Sequence, residues 1–341
     1  MLFSMLRFVS VCLIAALFLS PVSQASDANG SSSQIQPLAI ESIILDIATK
    51  GATTVAVGER GHVFILNGEK EGLWTQVSTP TQAHLTKVFF ITPELGWAVG
   101  HDATIIHTID AGLTWQLQMG SPEIEKPLMD ILFFDEQNGV AIGAYGLFYR
   151  TSDGGKTWLS EYHEELLFEE DVSYLAELKA EDEALYLSER SALLPHFNRI
   201  NSLSNGQLIM VGELGLVAVS DNRGKQWTKV DFIYEGSLFN TIQLNDTIFV
   251  MGLRGHIFQA SLDMGSWKEV TLPVKSTING ALPNNDGGLI LVGNAGVIID
   301  VPALGESKII HQRQGENLVA INQDPQGHIW VAGTKGLFEL K

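Results

Sequence analysis

Short apolar runs punctuated by glycine and by polar turns recur along most of the chain. Seven times a run rich in Val, Ile and Phe ends at a glycine, turns over two residues, and resumes, usually at a second glycine: VAVGERGHVFI, WAVGHDATIIHT, VAIGAYGLFYRT, IMVGELGLVAVS, VMGLRGHIFQA, ILVGNAGVIID and VAGTKGLFELK. The first glycines are Gly58, Gly100, Gly143, Gly212, Gly252, Gly293 and Gly333, at intervals of 42, 43, 69, 40, 41 and 40 residues. Runs this short, bounded by Gly, Asn and Asp, read as strands joined by tight hairpins in which glycine supplies positive φ. A further apolar run precedes each pair, and in five copies a tryptophan opens another strand: Trp74, Trp115, Trp158, Trp227 and Trp267. Four strands per repeat, seven times over, predict an all-β, seven-bladed β-propeller of four-stranded antiparallel blades. Residues 35–40 are one more strand candidate, and the last copy reaches Lys341 directly after its third strand. This N-terminal strand is expected to complete the last blade and close the ring.

Three copies continue into a particular turn: Thr108-Ile-Asp110-Ala-Gly112-Leu-Thr114-Trp115, Thr151-Ser-Asp153-Gly-Gly155-Lys-Thr157-Trp158 and Ser220-Asp-Asn222-Arg-Gly224-Lys-Gln-Trp227, with a shorter form at Ser261-Leu-Asp263-Met-Gly265-Ser-Trp267. An Asp or Asn here can accept hydrogen bonds from its own turn, and the Trp buries a large surface between sheets. This is the Asp box of the bacterial neuraminidase repeat. Asp110 and Asp153 could alternatively bind metal or act in catalysis, but they belong to different blades and cannot share a site. They are read as hairpin staples.

Charge and composition narrow the function. The 341 residues include 21 Lys plus Arg against 39 Asp plus Glu, a net charge of −18. A duplex nucleic-acid partner requires a basic face, so none is expected. Residues 1–25 combine a basic start, an apolar run too short to span a bilayer, and small residues before a cleavage point, and are read as a signal peptide. Residues 26–34 are a polar linker expected to be flexible, and 35–341 the propeller. The single Cys lies in the leader, so the mature protein is expected to lack disulfides and any second membrane-spanning stretch. The long interval holds an insertion at about 161–195, with eleven acidic residues between 161 and 190 and interspersed leucines. It is read either as a solvated acidic loop or as a partly helical docking arm.

Gly96-Trp-Ala-Val-Gly100 with the turn ending at Trp115, and Asn138-Gly-Val-Ala-Ile-Gly143 with the turn ending at Trp158, resemble the photosystem II stability and assembly factor family. The resemblance covers about residues 40–341 and is strongest over 85–160 and 205–270. It implies an exported seven-bladed propeller acting as a non-enzymatic scaffold for membrane-protein intermediates, in the periplasm, or in the thylakoid lumen of a photosynthetic organism. Photosynthetic members carry an arginine patch over the propeller, whereas this chain has eight Arg in all. The sparse basic residues and the insertion, with Pro195-His196-Phe197-Asn198, look more like the non-photosynthetic branch.

In a propeller the turns between second and third strands share one face with the connections between blades. Arg60, His101, Asp102, Tyr145, Glu213, Arg254, Asn294 and Lys335 should therefore ring one mouth, beside Glu169, Glu170 and Asp171 of the insertion. These form the expected partner-binding face, while Asp110, Gly112, Trp115, Asp153, Gly155, Trp158, Asn222, Gly224 and Trp227 are structural. Asp46, Lys87, Asp130, Asn198, Asn240 and Asn279 lie near the starts of successive innermost strands, where they either bind an ion or ligand in the channel or satisfy backbone groups. No zinc, serine-hydrolase or phosphate-loop pattern occurs, and seven mature arginines do not assemble a sialidase centre. No catalytic residue, metal or cofactor is expected. The leading expectation is a monomeric scaffold binding a membrane protein or its assembly intermediate. The alternatives are a glycosidase-like or small-ligand propeller using the channel mouth, and a periplasmic accessory subunit of a proton-driven exporter.

Overall fold

The computed structural model describes residues 32–66 and 73–341; the expected leader and most of the linker lie outside them. Seven antiparallel sheets stand around one axis, six of four strands and one of three. Their innermost strands are Ile44–Lys50, Leu85–Phe90, Leu128–Phe133, Phe197–Ser202, Leu238–Leu244, Ile278–Pro283 and Leu318–Gln323.

Each innermost strand slips register at its second residue. In blade 1, Ile44 faces Gly58 and Asp46 faces Val57, and the other six blades repeat the slip at the same place. Such a bulge kinks the strand and re-aims its backbone. It drives the carbonyl preceding the strand onto the repeat glycine. A Cβ on Gly58, Gly100, Gly143, Gly212, Gly252, Gly293 or Gly333 would collide with the carbonyl oxygen of Ile43, His84, Pro127, His196, Ser237, Thr277 or Asn317 respectively. That same oxygen accepts the N–H of the residue after the glycine, at 2.9–3.0 Å in all seven blades. These first glycines are extended (Gly58 φ −163°, Gly143 φ −168°), so close approach, not positive φ, requires them.

Large apolar side chains fill the spaces between sheets. Trp97 and Phe133 stack with ring centroids 3.5 Å apart, and Phe133 meets Trp158 edge-on at 5.9 Å. Gly96 and Gly139 open their strands with no side chain because a Cβ there would strike the rings of Phe90 and Phe133. The tryptophans of the Asp-box repeats are buried as expected: Trp115, Trp158, Trp227 and Trp267.

Ring closure differs from the expectation. Among the described residues, the last blade has three strands, Leu318–Gln323, Ile329–Gly333 and Gly336–Leu340, and 35–40 does not add a fourth. Residues 33–36 are bonded instead to the last strand of blade 1 and the connection after it: Ser33 N donates to Thr79 O at 2.9 Å, Thr79 N to Ser33 Oγ at 2.8 Å and Gln36 N to Gln76 Oε1 at 2.8 Å. Residues 32–34, the described end of the supposed flexible linker, are thereby docked. Ala39–Glu41 then forms one 3-10 turn, with Ala39 buried among Ile44, Ile47, Trp74 and Trp330. The seam closes by direct packing of the end blades, with Trp74 and Trp330 edge-to-face at 5.3 Å and Asn322 Nδ2 donating to Ile47 O at 2.9 Å.

Gly212→Ala adds one methyl against a carbonyl with nowhere to retreat. It is expected to destabilise the protein by about 1–3 kcal/mol, measured as a shifted urea midpoint; an unchanged midpoint would show that the contact is not limiting.

Candidate functional site

The turns between second and third strands hold Arg60, Asp102, Tyr145, Leu214, Arg254 and Ala295 in the left-handed region, with φ from 53° to 60°. The following residue is also left-handed, as at Gly61 (φ 70°), or at Ala103 (φ 47°) in blade 2. Non-glycine residues there cost about 1–2 kcal/mol each, so these side chains are presented at the mouth at the expense of the turn. In blade 7, Lys335 is exposed at the corresponding turn and the left-handed residue is Gly336 (φ 87°). The expected mouth residues stand in or beside these turns, one or two to a blade: Arg60, His101, Arg254 and Lys335 are exposed, Tyr145 is 45% exposed, and Asp102, Glu213 and Asn294 are half-buried.

Partners from the blade-to-blade connections were not evident in the repeat. His84 faces His101 at 5.3 Å between ring centroids, His196 meets Tyr145 at 4.4 Å, and Tyr234 meets His256 at 4.6 Å. Lys126 Nζ lies 5.1 Å from the Tyr145 centroid. Burial lowers the pKa of His62 and His101, with neighbouring His84 adding to the effect. The mouth is divided by sector: Arg60, Arg254 and Lys335 stand on blades 1, 5 and 7, whereas Tyr145 and Leu214 stand on blades 3 and 4.

Around the axis the polar residues connect blades. Asp46 Oδ2 accepts from Val88 N at 3.0 Å, Thr86 Oγ1 donates to Leu128 O at 2.6 Å, and Asp130 Oδ2 accepts from Ile200 N at 2.9 Å. Asn198 Nδ2 donates to Leu238 O at 2.8 Å, Asn240 Nδ2 to Asn279 O at 3.1 Å, and Asn279 Nδ2 to Leu318 O at 2.7 Å. With Asn322 at the seam, every junction carries at least one such latch, and that between blades 4 and 5 a second, from Asn201 Nδ2 to Thr241 O at 2.6 Å. Lys87 pairs with Asp46 at 3.1 Å. Burial raises the Asp130 pKa, opposed by Arg199 and Lys87. Thr86 and Asn322 were missed in the sequence; a polar residue inside an apolar innermost strand was the available signal.

The Asp boxes close on themselves. Asp110 Oδ1 accepts from Thr108 Oγ1 and Thr114 N, each at 2.8 Å, and its Oδ2 from Thr114 Oγ1 at 2.6 Å. Gly112 N donates to Thr108 Oγ1 at 3.0 Å, and Trp115 Nε1 to Gly112 O at 2.8 Å. Asp153 repeats the pattern with Thr151 and Thr157, while Gly155 N donates to Thr151 Oγ1. Asn222 accepts from Ser220 Oγ and Gln226 N, with Gly224 N bonded to Ser220 Oγ. Among the described residues, no group of three or more His, Cys, Asp or Glu is placed to hold a metal ion.

The insertion is neither a solvated loop nor a free arm. It forms two helices, α1 (Glu169–Glu181) and α2 (Glu183–Leu193). Leu166, Leu167, Leu175, Tyr186 and Leu194 enter the same apolar cluster as Phe148, Phe197 and Trp227. Glu169, Glu170 and Asp171 form the first turn of α1, where acidic groups complement the helix dipole. Asp182 caps α2 through Leu185 N at 3.0 Å. The base of the insertion is tied down by Arg150, whose Nε and Nη2 hold both oxygens of Glu161 at 2.6 and 2.9 Å. Its Nη1 and Nη2 also donate to the carbonyls of Arg223 and Gly224 in blade 4, both at 2.8 Å. His163 Nδ1 and Trp227 N both contact Glu165 Oε1, at 3.0 and 3.1 Å. Burial alone would raise the Glu161 pKa, but the hydrogen bonds from His163 and Arg150 bring it below its ordinary value.

Removing the fork with Arg150→Ala leaves Glu161 with His163 alone and takes the guanidinium donor from two carbonyls, and is expected to cost about 1–3 kcal/mol by chemical denaturation; a loss within error would mean that solvent replaces the fork. In Asp110 and Asp153 burial pushes upward, but the hydrogen bonds from Thr114 and Thr157 outweigh it and hold both carboxyls below the usual range. Groups so depressed stabilise the fold above about pH 4 and lose that contribution as pH falls through their folded values. The Asp110→Asn/Asp153→Asn variant, which copies Asn222, should therefore show a shallower fall in melting temperature between about pH 5 and pH 3 than the parent. Parallel curves would refute this account.

Residues 66–158 match the family described as Photosynthesis system II assembly factor YCF48. Photosystem II assembly lipoprotein Ycf48 of Synechococcus sp. strain CC9902 is 31% identical over 86 residues, 25% of this chain and 26% of that one. Photosystem II assembly protein Ycf48 of Synechococcus sp. strain JA-2-3B'a(2-13) is 41% identical over 63 residues, 18% of this chain and 19% of that one. The match thus spans about a quarter or less of these relatives' lengths. The solved structure of YCF48 bound to D1 peptide superposes with a TM-score of 0.64 at 17% identity, covering 93% of this chain and 98% of that one. YCF48 from Cyanidioschyzon merolae gives 0.65 at 17%, covering 90% and 97%. The WD40 propeller domain of Doa1 gives 0.64 at 11%, covering 94% and 96%, so this likeness speaks for the fold. The chain is a seven-bladed propeller similar to the photosystem II assembly factor family, in sequence from the end of the third strand of blade 1 through blade 3, and in fold around the ring.

Proposed function

We propose that the protein is a non-catalytic, exported scaffold that binds a membrane protein, or an intermediate in its assembly, through the mouth bearing Arg60, His101, Tyr145, Arg254 and Lys335. The observation that carries this is the match of residues 66–158 to an assembly-factor family. The local chemistry supports it: the carboxylates of Asp110, Asp153, Asp46 and Asp130 are engaged by turns, by neighbouring blades or by Lys87, so none stands as a free acid–base pair. No helix among the described residues is long and apolar enough to cross a membrane, and contact with a membrane protein would use a segment that emerges from the bilayer. Export rests on the sequence of residues 1–25, and the compartment would be the periplasm or a thylakoid lumen.

Deleting the insertion would not isolate docking, because it would strip Leu166, Leu175 and Tyr186 from the core. The mouth is tested instead by crosslinking pull-down from native membranes, using the mature protein beside Arg60→Glu/Tyr145→Asp/Arg254→Glu. Specific recovery of one membrane protein by the first and its loss in the second is expected. Equal recovery, or none above background, would overturn the scaffold reading.

A further inference from the structure

Between the insertion, blade 4 and the connection from blade 4 to blade 5 lies a cleft of about 360 Å³. Its walls include Leu166, Phe168, Pro195, Leu214, Phe232 and Tyr234. Leu214 is 58% exposed at the hairpin position that six blades hold left-handed (φ 54°); the backbone is common to those blades, whereas a large aliphatic side chain presented there is particular to this one. Phe168, in the lining, is 39% exposed, and Ile233, on the same connection but outside the lining, is 64% exposed. A cluster of large apolar side chains on one part of the surface marks an interaction site.

The surrounding charges state what the cleft would take. Asp231 and Glu235 line it, are exposed, and make no ion pair among the described residues. Glu169 and Glu170 follow Phe168 directly and are likewise exposed. Two cations stand against these four carboxylates: Lys229 in the lining, whose Nζ donates to Leu167 O at 2.7 Å and lies 5.6 Å from the Phe168 centroid, and Arg254, whose charge reaches Tyr234, so the rim is acidic on balance. An apolar floor with an anionic rim complements a polypeptide whose large apolar side chains are flanked by cations.

We infer that this cleft is a docking groove for a segment of another protein in which leucine-sized side chains alternate with or adjoin lysine or arginine. The inference rests on the scaffold reading above and names the sector of the mouth that would engage the partner's chain.

The test is fluorescence anisotropy of a labelled twelve-residue synthetic peptide of leucines and lysines. Its controls are the same peptide with glutamate for lysine and with serine for leucine. The leucine–lysine peptide should bind, and both controls should bind at least about tenfold more weakly. Leu214→Ser/Ile233→Ser and Asp231→Lys/Glu235→Lys, at exposed positions, should each weaken it by roughly tenfold or more, and the charge reversal should also remove the salt dependence. Equal binding of all three peptides, or affinities unchanged in both variants, would overturn the groove. So would a concentration-dependent dimer lost in Leu214→Ser/Ile233→Ser, which would assign the surface to a second copy of this chain. The pull-down separates the two readings. Undiminished membrane-protein recovery by Leu214→Ser/Ile233→Ser would leave the scaffold standing without the groove, whereas peptide binding with no membrane partner would leave the groove without that scaffold role.

Discussion

The contact on which the ring depends is between a glycine and a carbonyl oxygen, repeated in every blade. The bulge at the start of each innermost strand turns the preceding carbonyl across the end of the second strand. There it meets a residue with no side chain and accepts the N–H that follows it. One oxygen therefore sets the entry of the chain into each blade, the register of the first two strands and the origin of the mouth turn. A side chain at that position would push the innermost strand away from its neighbour and disturb the latches that strand carries to the next blade.

The blade count, the strand order and the Asp-box turns were legible because each rests on local chemistry repeated at a nearly constant interval. The glycine at each hairpin was legible too, though for another reason than the one that holds: Gly58 and its equivalents are extended, and the left-handed residues are those that follow, including Arg60, Tyr145 and Leu214. Ring closure was misread. An apolar stretch such as 35–40 has the composition of a strand, but its surroundings decide whether its backbone is free to pair, and Ser33 and Gln36 are bonded to Thr79 and Gln76. Mouth residues on the hairpins could be numbered from the repeat. Those on the connections, His84, His196 and Tyr234, could not, because the connections differ in length and share no motif.

The insertion shows how an acidic sequence can be structural and still shape the surface. Its leucines read equally well as a solvated helix or a docking arm, since periodicity says which side chains share a face but not what that face meets. Here they meet blades 3 and 4, and Arg150 secures the base to both sheets. Packed in this way, the insertion sets the acidic first turn of α1 next to Phe168, which shares one cleft with Leu214 and Phe232, so acidic and apolar groups meet in the sector that Arg254 borders.

The latches around the axis share a direction: a side chain of one blade always reaches a backbone group of the next. Every residue type offers the carbonyl, and every type but proline the N–H, so the backbone group itself constrains the receiving blade little. Aspartate, threonine and asparagine all serve. A lineage of such rings can thus diverge its blades one at a time at the asparagine and threonine junctions, whereas the two aspartate junctions, where Lys87 and Arg199 of the next blade also pair with Asp46 and Asp130, would call for paired substitutions.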